Sequence, residues 1–197
     1  MRRGLQTLIR VTEATDYFKT PEFMAWRERV GTRQANATGK KATKIGSRLH
    51  EIIESGDYKT TPKDTIEVRN CLNAFLKWKE RYSVEEFQLP PRLDDVTIGL
   101  TGQPDFYWIT NSELVDFKTS KEIWPHNFFQ LGGYKRLGIP AKNASILCLD
   151  KESGEFEYVT NEMIGLSMES LVDAFEANFK HYQYYTYIAN KLNRENT

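Results

Sequence analysis

Through the first third of the chain, apolar residues fall at helical spacing. In PEFMAWRERVGTRQAN, Phe23, Trp26 and Val30 recur at one face of a helix, and Pro21 suits a first turn, where its missing N–H is no loss. Ahead of it, Thr12 or Thr15 is placed to cap a short helix, and Gly31 loosens or ends the one that Pro21 opens. Ile45, Leu49, Ile52 and Ile53 share a face over residues 42–55, with SGD as the stop. Ile66, Leu72, Phe75, Leu76 and Trp78 define a further helix over 62–82, opened by Thr-Pro. From Val84 the period shortens. Phe87, Leu89, Val96, Ile98 and Leu100 read as strand positions, and GQPDFYWI and ELVDFKTS follow as strands parted by a polar TNS turn, a β-meander of about three strands. HNFFQLGGYKRLGI is again helical, ASILCLD and EFEYVT are two more strands, and 161–192 is a long helix with Leu166, Met168, Leu171, Phe175 and Phe179 apolar. The order predicts an α/β fold with a central mixed sheet flanked by helices. It also predicts one domain over 1–197, made of a helical part (1–82), a sheet core with one helix (83–160) and a C-terminal helix (161–197).

Composition supports that size of core: 197 residues, 40% hydrophobic and 13% aromatic, need no disulfide or metal staple. Lys plus Arg and Asp plus Glu each total 27, so a generally basic surface is excluded and only a local basic groove is left. Arg27, Arg29, Arg33, Lys40, Lys41, Lys44 and Arg48 are such a concentration, either a phosphate-tracking surface or a solvated face. Cys71 and Cys148 are the only cysteines and form no C-x-x-C, which argues against a zinc site, a cysteine-ligated cluster and a disulfide framework. No apolar run has the length of a signal h-region or a membrane span, so an intracellular protein is expected.

The chemistry concentrates in two strand-like segments. Asp105 sits in GQPDFYW and Asp116, eleven residues on, in ELVDFKTSK. Adjacent antiparallel strands bring these carboxylates together, as an oxygen-rich site suited to Mg²⁺ or Mn²⁺. Lys118, two residues after Asp116, points to the same strand face, where an ammonium can orient or deprotonate a water and stabilise charge on phosphorus. Val115 and Phe117 take the opposite face, leaving the Asp and Lys face to solvent or to a site. The plainer alternatives are a turn residue after Pro104 and a surface ion pair.

The spacing D-x(10)-D-x-K, begun by Pro104-Asp105, resembles the PD-(D/E)XK nuclease signature in its Asp-x-Lys form. IGSRLHEIIE with His50, LTGQPDFYW, LVDFKTSK, and NFFQLGGYKRL with Gln130 and Tyr134 stand in the order seen in RecB-like nucleases. That group includes nuclease domains of bacterial recombination helicases, CRISPR-associated RecB-like exonucleases and the mitochondrial genome maintenance exonuclease. VTEATDYFKTPEFMAWRERVG is similar to the lead-in of mitochondrial and phage-type exonucleases, and the resemblance spans roughly 11–137.

The resemblance implies a restriction-endonuclease-like core, with His50 as a metal ligand from a helix, Asp105 and Asp116 as bridging ligands, and the Phe117 carbonyl as another. Lys118 would position the attacking water, and Gln130 and Tyr134, one helical turn apart, would hold the site or the DNA strand. Thr119 and Ser120 could donate to phosphate oxygens. Glu54, one turn past His50, either extends the metal shell or is an exposed helix charge; Glu85 and Glu86 are open in the same way. Two cysteines cannot hold the iron–sulfur cluster of some RecB-like nucleases, which leaves the cluster-free exonucleases as the nearer comparison.

The implied activity is a metal-dependent DNA exonuclease on single-stranded or frayed ends, in recombination, repair or phage replication. Its partners would be DNA and either further copies of the chain or recombination and replication proteins. Three other readings stand beside it: an endonuclease with the same site, a silent nuclease-fold DNA-binding subunit, and a glycosidase using Asp105 and Asp116, against which Lys118 speaks. Trp124, Phe128, Phe129 and the aromatic HYQYYTYI are either base-stacking surfaces or packing faces.

Overall fold

The computed structural model describes residues 8–16, 21–120 and 122–194; the Phe23 side chain expected on a helical face lies outside the described residues. The elements run β1 (Ile9–Arg10), α1 (Val11–Asp16), α2 (Pro21–Val30), α3 (Thr32–Ser55), α4 (Ile66–Arg81), β2 (Phe87–Gln88), β3 (Leu93–Asp95), β4 (Leu100–Gly102) and β5 (Phe106–Trp108). There follow β6 (Glu113–Lys118), α5 (Pro125–Arg136), β7 (Asn143–Leu149), β8 (Phe156–Thr160) and α6 (Met168–Arg194).

The main sheet has the order β2-β5-β6-β7-β8, antiparallel throughout except for the parallel pair β6–β7. Parallel neighbours cannot be joined by a hairpin, and α5 is the crossover that joins these two. Side chains alternate along the central strands. Leu114, Ile146 and Cys148 pack beneath α1, α5 and α6 with Val11, Leu131 and Phe175, while Val115, Phe117, Leu147 and Leu149 pack against α3 and α4 with Leu49, Ile53, Phe75 and Trp78. This is the α/β arrangement, a mixed sheet flanked by helices, that the hydrophobic pattern predicts. Against the sheet, α5 meets α6 at very short range. A Cβ added at Gly132 would lie 2.1 Å from the Leu171 carbonyl oxygen, and one at Gly133 would lie 2.7 Å from the Phe175 ring.

Several boundaries differ from the sequence expectation. The helix expected over 42–55 begins at Thr32, directly after Gly31, whose φ of 82° breaks α2 from α3. Its first ten residues are exposed apart from Ala35, so no apolar stripe marks them. The next helix starts at Ile66 behind Thr65 rather than at 62, and Ile66 and Leu76 are exposed instead of core. Thr12 and Thr15 lie inside α1, where the Thr15 hydroxyl donates back to the carbonyls of Val11 and Thr12, so neither is a cap. The last helix starts at Met168 rather than 161. Asn161 instead holds the turn before it, accepting from the Ala144 N–H and donating to the Leu166 carbonyl, with Leu166 exposed.

The helical first third contains a strand after all, β1, and the expected meander is divided. Strands β3 and β4 join β1 in a separate sheet of order β1-β4-β3, in which β1 and β4 are parallel, and Val96 is exposed in the β3–β4 turn. Among the described residues no helix is long and apolar enough to cross a membrane.

Candidate active site

In the β5–β6 ladder Phe106 faces Val115, and Asp105 occupies the bend one residue before β5 rather than the strand itself. From there its Oδ2 accepts the Phe117 N–H at 2.9 Å, so Asp105 caps the β6 backbone just beyond Asp116. Asp116 is 1% exposed, and Lys118 Nζ stands 2.5 Å from its Oδ2. The face that the sequence leaves to solvent or a site is covered by α5. From that helix the Gln130 Nε2 donates to Asp116 Oδ1 at 3.0 Å and to the Tyr134 hydroxyl at 2.7 Å, and its Oε1 accepts from Lys118 Nζ at 3.3 Å. One amide therefore touches the carboxylate, the lysine and the tyrosine, and it can do so because residues four apart share a helix face.

His50 arrives from the opposite layer. Burial of Leu49, Ile52 and Ile53 against α4 and the sheet fixes the rotation of α3, which leaves the imidazole at the edge of that contact. Its Nε2 is 3.7 Å from Asp105 Oδ1 and its ring centroid 5.8 Å from that of Phe117. The structure thus gathers His50 with Asp105 and, through the Phe117 backbone, Asp105 with the strand of Asp116 and Lys118. Glu54, Glu85 and Glu86 are exposed. Thr119 and Ser120 form the turn after β6. The Thr119 carbonyl accepts from Lys151 Nζ at 3.2 Å, and the Ser120 hydroxyl donates to the Glu122 carbonyl at 3.0 Å.

Burial pushes the Asp116 carboxyl up to about 6, with the Lys118 charge pulling it down and the Asp105 charge pushing it further up. Burial acts to lower Lys118, but the Asp116 and Asp105 charges outweigh it and hold the ammonium above its ordinary value. Tyr134 is raised well above the usual phenol range by burial and then by the same two carboxylates. Asp16, at the end of α1, adds negative charge to both Lys118 and Tyr134. Asp16 lies in the VTEATDYF block, where nothing singles it out as a site residue; its place follows from α1 packing on α5.

Among the described residues no three His, Cys, Asp or Glu side chains are gathered tightly enough to hold a metal ion as they stand. The donor chemistry nevertheless suits a hard divalent cation: one imidazole and two carboxylates, with the buried Asp116 Oδ2 balanced by the Lys118 ammonium at 2.5 Å.

Elsewhere, the basic concentration resolves into separate roles. Lys41 pairs with Glu67 at 2.7 Å, and Arg48 pairs with Asp64 at 2.6 Å and Glu51 at 2.9 Å, so these cations brace α3. Phe128 is buried in the core beneath α5, whereas Trp124, at the start of that helix, lines a cavity with Arg27 and Lys40.

No protein-family model and no curated protein matches the chain. Among solved structures it is similar to an alkaline exonuclease from Laribacter hongkongensis, at 13% identity and a TM-score of 0.44 over 94% of both chains. The same exonuclease in complex with dAMP matches at 14% identity and a TM-score of 0.43 over 94% of both chains. A phage-related exonuclease from Haemophilus somnus 129PT matches at 14% identity and a TM-score of 0.39, over 92% of this chain and 97% of the other.

Proposed function

We propose that this protein is a metal-dependent nuclease that hydrolyses DNA phosphodiesters at the Asp105, Asp116 and Lys118 centre, acting exonucleolytically on single-stranded or frayed ends. The observation that carries the reading is the closed arrangement around Asp116. A nearly fully buried carboxylate, an ammonium 2.5 Å from it and a second carboxylate at the bend before the neighbouring strand meet where the sequence has D-x(10)-D-x-K. A fold does not keep such charges inside for stability, since a buried ion pair is often no better than apolar side chains of the same volume.

His50, Asp105, Asp116 and the Phe117 carbonyl would hold Mg²⁺ or Mn²⁺. The bound cation supplies a water of lowered pKa and charge neutralisation at the scissile phosphate. Lys118 holds its proton toward the attacked group and orients the water there. Gln130 fixes the Lys118 ammonium and the Asp116 carboxylate relative to each other, and Tyr134 holds Gln130. Thr119, on the turn that leaves β6, would donate to phosphate oxygens, Ser120 would do so on releasing the Glu122 carbonyl, and the substrate partner would be DNA with a free end.

The test is degradation of end-labelled linear and circular DNA, single- and double-stranded, with Mg²⁺, Mn²⁺ or EDTA, by the native chain and by Asp116→Ala and Lys118→Ala. The expected result is metal-dependent loss of linear DNA alone, abolished by both substitutions. Cutting of circles would make it an endonuclease with the same centre. Binding that leaves every substrate intact with either metal would overturn the catalytic reading in favour of a DNA-binding subunit.

A further inference from the structure

A cavity of about 700 Å³ opens between α2, the first half of α3 and the segment that follows β6, outside the carboxylate centre. Trp26 and Trp124 line it from opposite elements, together with Arg27, Lys40 and Lys151; Glu122 is the single acidic side chain in the lining. Its size is that of a small-ligand site, and its surface is mostly apolar, with three cationic side chains in the lining. Aromatic faces bordered by cations are the chemistry of an unpaired base and its phosphate, the rings stacking on the base while the cations track the backbone.

Two walls of the cavity lead to the catalytic centre. On α3 the residues Ala35, Gly39, Ala42, Gly46 and His50 follow one another at helical spacing. A Cβ at Gly39 or Gly46 would meet nothing within 4 Å, so this stripe is a smooth track. From Ala42, at the cavity, to His50 the helix axis advances about 12 Å. On the other wall Ser120 lies two residues past Lys118, and Lys151, which lines the cavity, donates to the Thr119 carbonyl at 3.2 Å.

The charge distribution favours a single strand over a duplex. The chain has no net charge, and Lys41 and Arg48 of the basic concentration are held in ion pairs, while Arg27, Lys40 and Lys151 stand with Trp26 and Trp124 in the cavity lining.

We propose that this cavity is a stacking subsite for an unpaired nucleobase of single-stranded DNA, held between Trp26 and Trp124 while the strand runs along α3 to the Asp105 and Asp116 centre. The proposal rests on the nuclease reading for its substrate class. The subsite would explain a preference for single-stranded or frayed ends, because a paired base cannot enter.

The experiment compares binding of a short oligothymidylate with binding of a strand of the same length carrying abasic sites, in EDTA, by fluorescence anisotropy and by quenching of the intrinsic tryptophan emission. The expected result is that removing the bases lowers affinity about tenfold or more, and that Trp26→Ala and Trp124→Ala lower oligothymidylate affinity by a similar factor. Trp124→Phe, which keeps a ring, recovers most of the loss, and the exposed Lys40→Glu weakens both strands. Circular dichroism verifies that each variant is folded, and Lys40→Glu with the abasic strand on native protein carries the test should a tryptophan variant not fold.

Equal affinity for the two strands, or affinity indifferent to the tryptophans, overturns the subsite. If the native chain degrades DNA while these variants bind it normally, the subsite falls and the nuclease reading stands. If the native chain shows base-dependent binding and quenching but cleaves nothing with either metal, the nuclease reading falls and the subsite stands.

Discussion

The two faces of β6 are built on opposite terms. Val115 and Phe117 look into a cluster of rings, where Phe75, Phe106 and Phe117 meet edge-on or tilted at 5.5–6.3 Å among aliphatic side chains, with the His50 imidazole at the edge. Leu114, Asp116 and Lys118, on the other face, begin in a similar core and end in charge, covered by an α5 that brings an amide and a phenol to them. One face holds the fold. The other buries an ion pair that apolar side chains of the same volume would match or exceed in stability.

Lys118→Met tests that contrast hardest. Loss of the cation lowers phosphodiester hydrolysis about a thousandfold, read in a labelled-DNA assay. The same change leaves Asp116 buried without its counter-charge and lowers stability by about 3 kcal/mol, read by denaturant titration. Adding Asp116→Leu to Lys118→Met recovers stability to the native level or above while activity stays lost; a double variant no more stable than the single one would show that this face is not strained by its charges.

Phe75→Ala, on the opposite face, costs about 3–5 kcal/mol by the same titration. Below its melting transition it leaves the rate of hydrolysis near that of the native chain, so the two faces separate into a stability effect and a rate effect. Tyr134→Phe removes one hydroxyl from Gln130 and costs about 1 kcal/mol, with a smaller loss of rate than Lys118→Met.

The smallest effect concerns Glu113, at the far end of β6. Burial raises its carboxyl above the ordinary value, with the Tyr158 and other hydrogen bonds acting the other way. The folded state therefore keeps this proton to higher pH than the unfolded chain. Its contribution is greatest below the ordinary carboxylate value and declines as pH rises through the raised folded value. Glu113→Gln removes that slope, so thermal melts over the acid-to-neutral range become flatter than those of the native chain.

Alternation and helical spacing sufficed for much of this. Asp116 and Lys118 fall on one face of a strand because the side-chain period is two, and Gln130 and Tyr134 on one face of a helix because residues four apart are neighbours; both are local rules. What local rules do not contain is the partner. That the Asp and Lys face lies under α5 depends on the parallel pairing of β6 with β7, which is set by contacts between segments far apart in sequence.

The two-residue β1 is too short for any period to register, and its pairing with Leu100 and Thr101 spans most of the first hundred residues. The first ten residues of α3 bury almost nothing, so they carry no stripe to read. Ile66 and Leu76 are apolar yet point outward, since α4 has one buried face and periodicity alone does not say which apolar residues lie off it. Asp16 is reached only once α1 is docked against α5.

The contact of Gly132 with the Leu171 carbonyl bears on how the Q-x-x-x-Y spacing is to be understood. The letters name the two polar ends and leave three positions blank, but here the blanks include two glycines that set how deeply the helix can settle. A methyl group at either position would act as a wedge between α5 and α6. Gln130 and Tyr134 would then be displaced together from Asp116, as a rigid unit. An alanine there would mimic the loss of the polar pair while leaving both polar residues in place, so in variants of this chain the identity of the silent positions carries as much information about the centre as the residues that touch it.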